Sequence, residues 1–199
     1  MTRAYLLCLV SAALVAACSK PEILDPIDGS VPANVDLSGT WQIRSDLAAE
    51  QRRLQAVIRR TDGVRESELR GQPISGELSR ASQRSQKFKG GLVDVFLETG
   101  STLKITQTDY ALFVSFDRSV VEEFRFGENR MVSVGQVQAQ RVTGWEGSSL
   151  VVETLDKNRM KLTERYSVNG AGDMLRREIT FRSKKLEEET IVQEFTRVN

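Results

Sequence analysis

The residues best placed to do chemistry lie in one short stretch, Met160–Val168, a turn at Asn169–Gly172, and Asp173–Phe181. Side chains alternate across a strand, so Leu162, Glu164, Tyr166 and Val168 share one face, and Leu175, Arg177, Ile179 and Phe181 share another. A four-residue loop at 169–172 would pair Leu162 with Ile179, Tyr166 with Leu175 and Glu164 with Arg177. A carboxylate, a phenol and a guanidinium on an otherwise apolar face suit charge-assisted orientation of a ligand's polar group. The same pair could instead be a structural contact near a barrel rim, where hydration makes it worth little. Other chemistries are poorly served. Histidine is absent and the two cysteines, Cys8 and Cys18, both fall in the first twenty residues. Triads that need histidine and Cys/His zinc sites are therefore excluded. No glycine-rich phosphate loop or calcium-loop spacing is present. Glu122 and Glu123 point to opposite faces of a strand and cannot converge. The reading is non-enzymatic, with no cofactor and no nucleic-acid partner.

Cys18 has a different kind of chemistry. Residues 1–18 run from Met-Thr-Arg through the apolar stretch Ala4–Ala17 to the cysteine. One positive charge, a short apolar segment and small residues before a cut site make a secretory signal peptide. The segment is short for a membrane span, which needs about 20 apolar residues. Leu14-Val15-Ala16-Ala17-Cys18 resembles the lipobox of bacterial lipoproteins. That resemblance implies cleavage before Cys18, diacylglycerol on its thiol and an acyl group on its amine. Ser19, rather than Asp, implies export to the outer membrane, on its periplasmic face. Cleavage removes Arg3 and Cys8, leaving 27 basic and 27 acidic side chains and no free thiol. The fold must then be held by packing alone, and the acyl chains anchor it firmly without electrostatic help.

The elements that position these residues follow in order. Pro21, Pro26 and Pro32, with polar residues between them, predict an extended, flexible tether over 18–36. Leu37–Ile43 reads as a first strand. Ser45 or Asp46 caps a helix running to about Arg60, with Leu47, Leu54, Val57 and Ile58 on one face. Residues 61–87 are polar and read as a long loop. Phe88–Leu97 fits a short helix packed on a sheet better than a strand. Residues 44–90 hold eleven basic and six acidic side chains. Such an insert could meet anionic headgroups, cell wall or an acidic partner, or be a solvated face. Strands then follow quickly: Thr102–Thr108, Tyr110–Phe116, Val120–Phe126, Met131–Val134, Val137–Glu146, Leu150–Leu155, Met160–Val168, Leu175–Phe181 and Thr190–Arg197. Their spacing predicts a meander sandwich or closed barrel.

Gly39-x-Trp41 is similar to the motif that opens the first lipocalin strand, where the tryptophan closes the barrel bottom. The run as a whole resembles uncharacterised bacterial envelope proteins with lipocalin-like (calycin-type) domains. It does so at Leu37-Ser-Gly-Thr-Trp41, Leu103-x-Ile-Thr-Gln107, Trp145-Glu-Gly-x-x-Leu-Val-Val-Glu-Thr154 and Glu164-Arg-Tyr-Ser-Val168. The resemblance implies a mainly β, antiparallel up-and-down barrel of about 8–10 strands over residues 37–199, with a helical insert at about 45–90. It implies no activity. The expected function is a binding module for a small apolar or amphipathic ligand. Trp41, Phe116, Phe124, Trp145, Glu164, Tyr166 and Arg177 are the candidate ligand residues, and Phe126 and Phe195 further candidates for the interior. The alternative is an assembly adaptor that meets an envelope protein or the cell wall through residues 45–90.

Overall fold

A computed structural model describes residues 21–61, 91–117, 121–135, 137–184 and 188–198. Residues 1–20, with Cys18, and residues 62–90 of the insert lie outside them. Ten strands form one antiparallel sheet: β1 (Gly39–Ile43), β2 (Thr102–Gln107), β3 (Ala111–Phe116), β4 (Glu122–Arg125), β5 (Asn129–Val134), β6 (Val137–Glu146), β7 (Ser149–Asp156), β8 (Lys161–Val168), β9 (Met174–Arg182) and β10 (Glu189–Val198). The spatial order is β4-β3-β2-β1-β10-β9-β8-β7-β6-β5, an up-and-down, lipocalin-like meander in which β1 pairs with β10.

That order has a geometric consequence. β4 and β5 are the two edges of the sheet, yet Phe126–Glu128 alone join them. The sheet must therefore curl until its edges meet at one end. Along the seam the contacts are few and specific. The Gly127 amide donates to the Thr143 carbonyl (2.7 Å), and an Arg130 Nη2 donates to the Glu123 carbonyl (3.4 Å). Gly127, at φ 74, takes a left-handed turn conformation that suits glycine.

Among the described residues, two helices cap the end of the barrel that receives the end of β1 and the start of β2. Helix α1 (Leu47–Thr61) begins at Asp46, whose Oδ1 accepts the Ala48 amide at 2.9 Å. Glu50 in its first turn and Arg59 and Arg60 in its last complement the helix dipole. Helix α2 (Leu92–Phe96) is a single short turn. Leu54 and Val57 of α1 and Leu92, Val93 and Phe96 of α2 fill this half of the barrel, against Met160, Leu162, Ile179, Phe181 and Ile191. The other half is filled by strand side chains, among them Trp41, Leu103, Leu112, Leu150 and Phe195.

Two expectations change. The β8–β9 register pairs Leu162 with Phe181, Glu164 with Ile179, Tyr166 with Arg177 and Val168 with Leu175. It is displaced by two residues from the predicted one because the turn is longer. Asn169 Oδ1 accepts the Asp173 and Met174 amides (3.2 and 3.1 Å), which draws Asp173 into the turn and starts β9 at Met174. A two-residue displacement preserves the faces, so every inward side chain still points inward. The second change is the tether. Residues 21–36 form no helix or strand, turn at Ala33–Asn34 and lie against the barrel. Leu24 is 4% exposed and packs with Ile27 on Val142 and Leu155, on the outer face of β6 and β7. The Asp28 carbonyl accepts the Trp145 amide (2.6 Å), and Val31, Val35 and Leu37 close the barrel bottom. Apolar residues at 24, 27, 31, 35 and 37 find a face to bury among the prolines, which composition alone does not reveal.

Candidate functional site

Between the two apolar halves lies a layer of buried polar side chains. Arg177 is 1% exposed and Glu164 3%. Arg177 Nε donates to Glu164 Oε2 at 3.0 Å, and its Nη2 donates to the same oxygen. The Tyr166 hydroxyl donates to that oxygen as well, at 2.7 Å. Arg177 Nη1 reaches the Gln193 Oε1 (3.2 Å) and the Glu98 carbonyl (3.0 Å). Its guanidinium lies 4.7 Å from the Phe116 ring centroid, an arrangement favourable to a cation.

A second pair crosses the seam. Arg141 of β6 binds Glu122 of β4 through Nη1, and its Nε donates to Thr154 Oγ1 at 3.2 Å. Its guanidinium sits between the rings of Phe96 and Phe124, at 5.0 and 5.2 Å from their centroids. These two pairs set two carboxylates against two guanidiniums, formally neutral as a set. Glu164 and Arg177 of the first pair and Glu122 of the second border a cavity of about 10 Å³, lined also by Phe96, Glu98, Val114, Phe116, Phe124 and Tyr166. That is room for about one water molecule.

The electrostatics follow from burial. Desolvation pushes the Glu122 carboxyl above its ordinary value of 4.5, with Arg141 opposing and Glu164 adding to the rise. Burial also pushes the Tyr166 phenol well above 10.0; Arg177 opposes this, while the Glu164 charge adds to it. Tyr166 is thus a neutral donor across the ordinary pH range. A layer of this kind can hold a polar head group by charge-assisted hydrogen bonds.

The predicted site residues divide. Phe116, Phe124, Glu164, Tyr166 and Arg177 converge on the cavity. Trp41 and Trp145 do not. Trp41 belongs to the bottom core, where its indole N–H donates to the Leu37 carbonyl (3.1 Å) and Arg197 covers its ring at 4.3 Å. Trp145 makes an edge-on contact with Phe126, centroids 5.3 Å apart, at the same end. Both stand on inward faces but at the wrong height in the barrel. Phe195 is a buried member of that bottom core too. Glu122, Arg141, Gln193 and Phe96 complete the site without having been expected. The signal for Arg141 was present, since it shares the Ala139, Thr143 and Trp145 face of β6. Glu122 does not meet Glu123, as expected, but it faces Arg141 across the seam.

No family model and no curated protein matches the chain. Among solved structures, it is similar to secretory abundant heat soluble protein 4 of Ramazzottius varieornatus. The identity is 15%, the TM-score 0.44, and 81% of this chain and 94% of that one are covered. Another secretory abundant heat soluble protein from the same organism gives 14% identity and a TM-score of 0.43 over 81% and 95% of the two chains. A luciferase domain from the dinoflagellate Lingulodinium polyedrum gives 14% and 0.49, over 87% of this chain and 45% of that one. The fold is read from the strand ladder itself, and these likenesses add no activity to it.

Proposed function

We propose that this protein is a cell-envelope lipoprotein, anchored through Cys18, whose barrel binds a small amphipathic molecule without catalysing a reaction. The observation that carries this reading is the convergence of buried Glu164, Tyr166 and Arg177 and half-buried Glu122 on one cavity, with buried Arg141 paired to Glu122 behind it. Buried ion pairs are weak contributors to stability, and apolar replacements often serve as well. Their convergence on a cavity is the arrangement expected of a site that orients a polar group. Ligand pockets span roughly 300–1,000 Å³, far more than this cavity. The additional room is the space now filled by Leu92, Val93 and Phe96, carried on the five-residue helix α2 rather than on a strand. In this reading α2 gives way to the apolar part of the ligand, and the charged layer receives its head group.

The test is native mass spectrometry of the full lipidated chain in mild detergent, followed by extraction and identification of bound species. A stoichiometric amphipathic molecule, lost in Glu164→Ala under conditions where that variant stays folded, supports the reading. Unchanged occupancy in Glu164→Ala removes the charged layer from it. A second reading, an assembly adaptor acting through residues 45–90, is favoured by the exposed arginines of α1: Arg52, Arg53, Arg59 and Arg60. Crosslinking to an envelope protein that depends on this helix, with an apo barrel, would select it.

A further inference from the structure

The path of residues 21–36 fixes which end of the barrel the chain enters. Arg182 is the last residue of β9 and pairs with Lys161, the first of β8, so both lie at the helix-capped end. Glu22 binds Arg182 there. Leu24 is then held by Gln140, which donates to its carbonyl (3.2 Å) and accepts its amide (2.9 Å). The strap continues over the outer face to Asp28, at the opposite end. Cys18 precedes Glu22 by only four residues, a reach of at most about 14 Å in extended chain.

We propose that the strap holds the helix-capped end of the barrel against an anionic bilayer surface; this rests on the reading of Cys18 as lipidated. A free tether from Cys18 to Asp36 would reach roughly 60 Å and leave the barrel without a preferred orientation. With the strap docked, Glu22 is held at Arg182, so the anchor is confined to within its four-residue reach of the helix-capped end. Charge agrees with this direction. Arg52, Arg53, Arg59 and Arg60 on α1, Lys157 in the β7–β8 turn and Lys184 after β9 are exposed at that end. Arg60 is shared with Glu189, and Arg53 lies 3.9 Å from Glu50. Exposed carboxylates at that end, Asp46, Asp117 and Glu188, are fewer than these cations. At the far end Asp28, Asp36, Asp109, Glu146 and Asp173 outnumber the exposed Arg125, Arg130 and Arg176 and would be repelled by the same surface. The barrel mouth under α2 then opens toward the membrane, so an amphipathic ligand moves between bilayer and barrel without crossing water.

The test uses the full lipidated chain in vesicles of phosphatidylcholine and phosphatidylglycerol. Cys18 carries the lipid, so single added cysteines can be labelled selectively. A fluorophore at Lys157→Cys or Lys184→Cys is compared with one at Ser148→Cys or Asp173→Cys, with a headgroup-labelled quencher lipid in the membrane. The two ends are on the order of 30 Å apart, the length of a ten-residue strand. The expected result is several-fold stronger quenching at 157 and 184. Gly144→Val, whose Cβ would collide with the Asp28 carbonyl, and Leu24→Asp both release the strap. Each should leave the protein bound to vesicles but equalise quenching at the two ends. Equal quenching in the wild-type chain, or stronger quenching at 148 and 173, overturns the orientation. Failure of the lipidated chain to float with vesicles overturns the anchor instead, a separate readout.

Discussion

Glu164 and Tyr166, two residues apart on β8, both turn into the barrel, and the phenol donates to the carboxylate oxygen that Arg177 also holds. Removing different members should therefore have unequal costs. Tyr166→Phe deletes one donor from a carboxylate that keeps its guanidinium and should cost about 1–3 kcal/mol. Glu164→Ala leaves Arg177 buried and uncompensated and should cost about 3–5 kcal/mol. Replacing Glu164 and Arg177 together with leucine and methionine should recover most of that loss. Chemical denaturation of the four proteins checks the order. A double variant as unstable as Glu164→Ala would mean that the pair itself holds the barrel together.

Glu122 sets a pH dependence. Burial raises its carboxyl above 4.5, so between 4.5 and the raised value the folded chain binds more protons than the unfolded one. Stability attributable to this group should fall as pH rises through that window and be recovered on acidification. Carbon-13 NMR of the labelled carboxyl should give a midpoint above 4.5. Relative to Glu122→Gln, which does not titrate, the wild-type stability should decline with rising pH across the same interval. A midpoint at or below 4.5 would mean that Arg141 outweighs desolvation.

Tyr166 should resist ionisation. Its phenol is held well above 10.0, mainly by burial, so at alkaline pH its absorbance should change with unfolding rather than before it. Above pH 10 the unfolded chain releases this proton more readily, and stability should fall with further rise in pH. A Tyr5→Phe, Tyr110→Phe background isolates the signal. A tyrosinate signal from the folded protein would show that water reaches the layer.

Phe96 is the side chain that stands between α2 and the charged layer. Phe96→Ala should cost about 3–5 kcal/mol and enlarge the cavity beside Arg141. If the volume under α2 is a ligand site, this variant should take up a fluorescent fatty-acid probe more readily than the wild type. Equal uptake, in a variant that remains folded, would place any ligand elsewhere.

The strap should matter to the body even without a membrane. Leu24→Ala should cost about 2 kcal/mol, the low end for a buried leucine, because it lies between the strap and the outer sheet. Protease sensitivity at residues 21–36 should rise with it. An unchanged melting temperature would mean that the strap is held by its polar contacts at Glu22, Gln140 and Asp28 rather than by the Leu24 side chain.

Much of this fold was legible locally. Alternation along 137–146 and 161–182, with turn residues between, determined the strands and which side chains faced inward, because a strand's period of two depends only on neighbours. Asp46 and the spacing of Leu54 and Val57 determined α1 in the same way. The inward faces carried Glu164, Tyr166 and Arg177 into the site even though the register was off by two. What the sequence could not state was height along the barrel and proximity across it. Trp41 and Trp145 face inward, like Phe116 and Phe124, but only the curl of the sheet puts the first two at its bottom and the second two beside the cavity. Glu122 meets Arg141 because β4 and β5 are edges of a sheet that curls until they touch. Leu24 is buried because that curl presents Val142 and Leu155 on its outer face. These are non-local relations, decided by closure and packing.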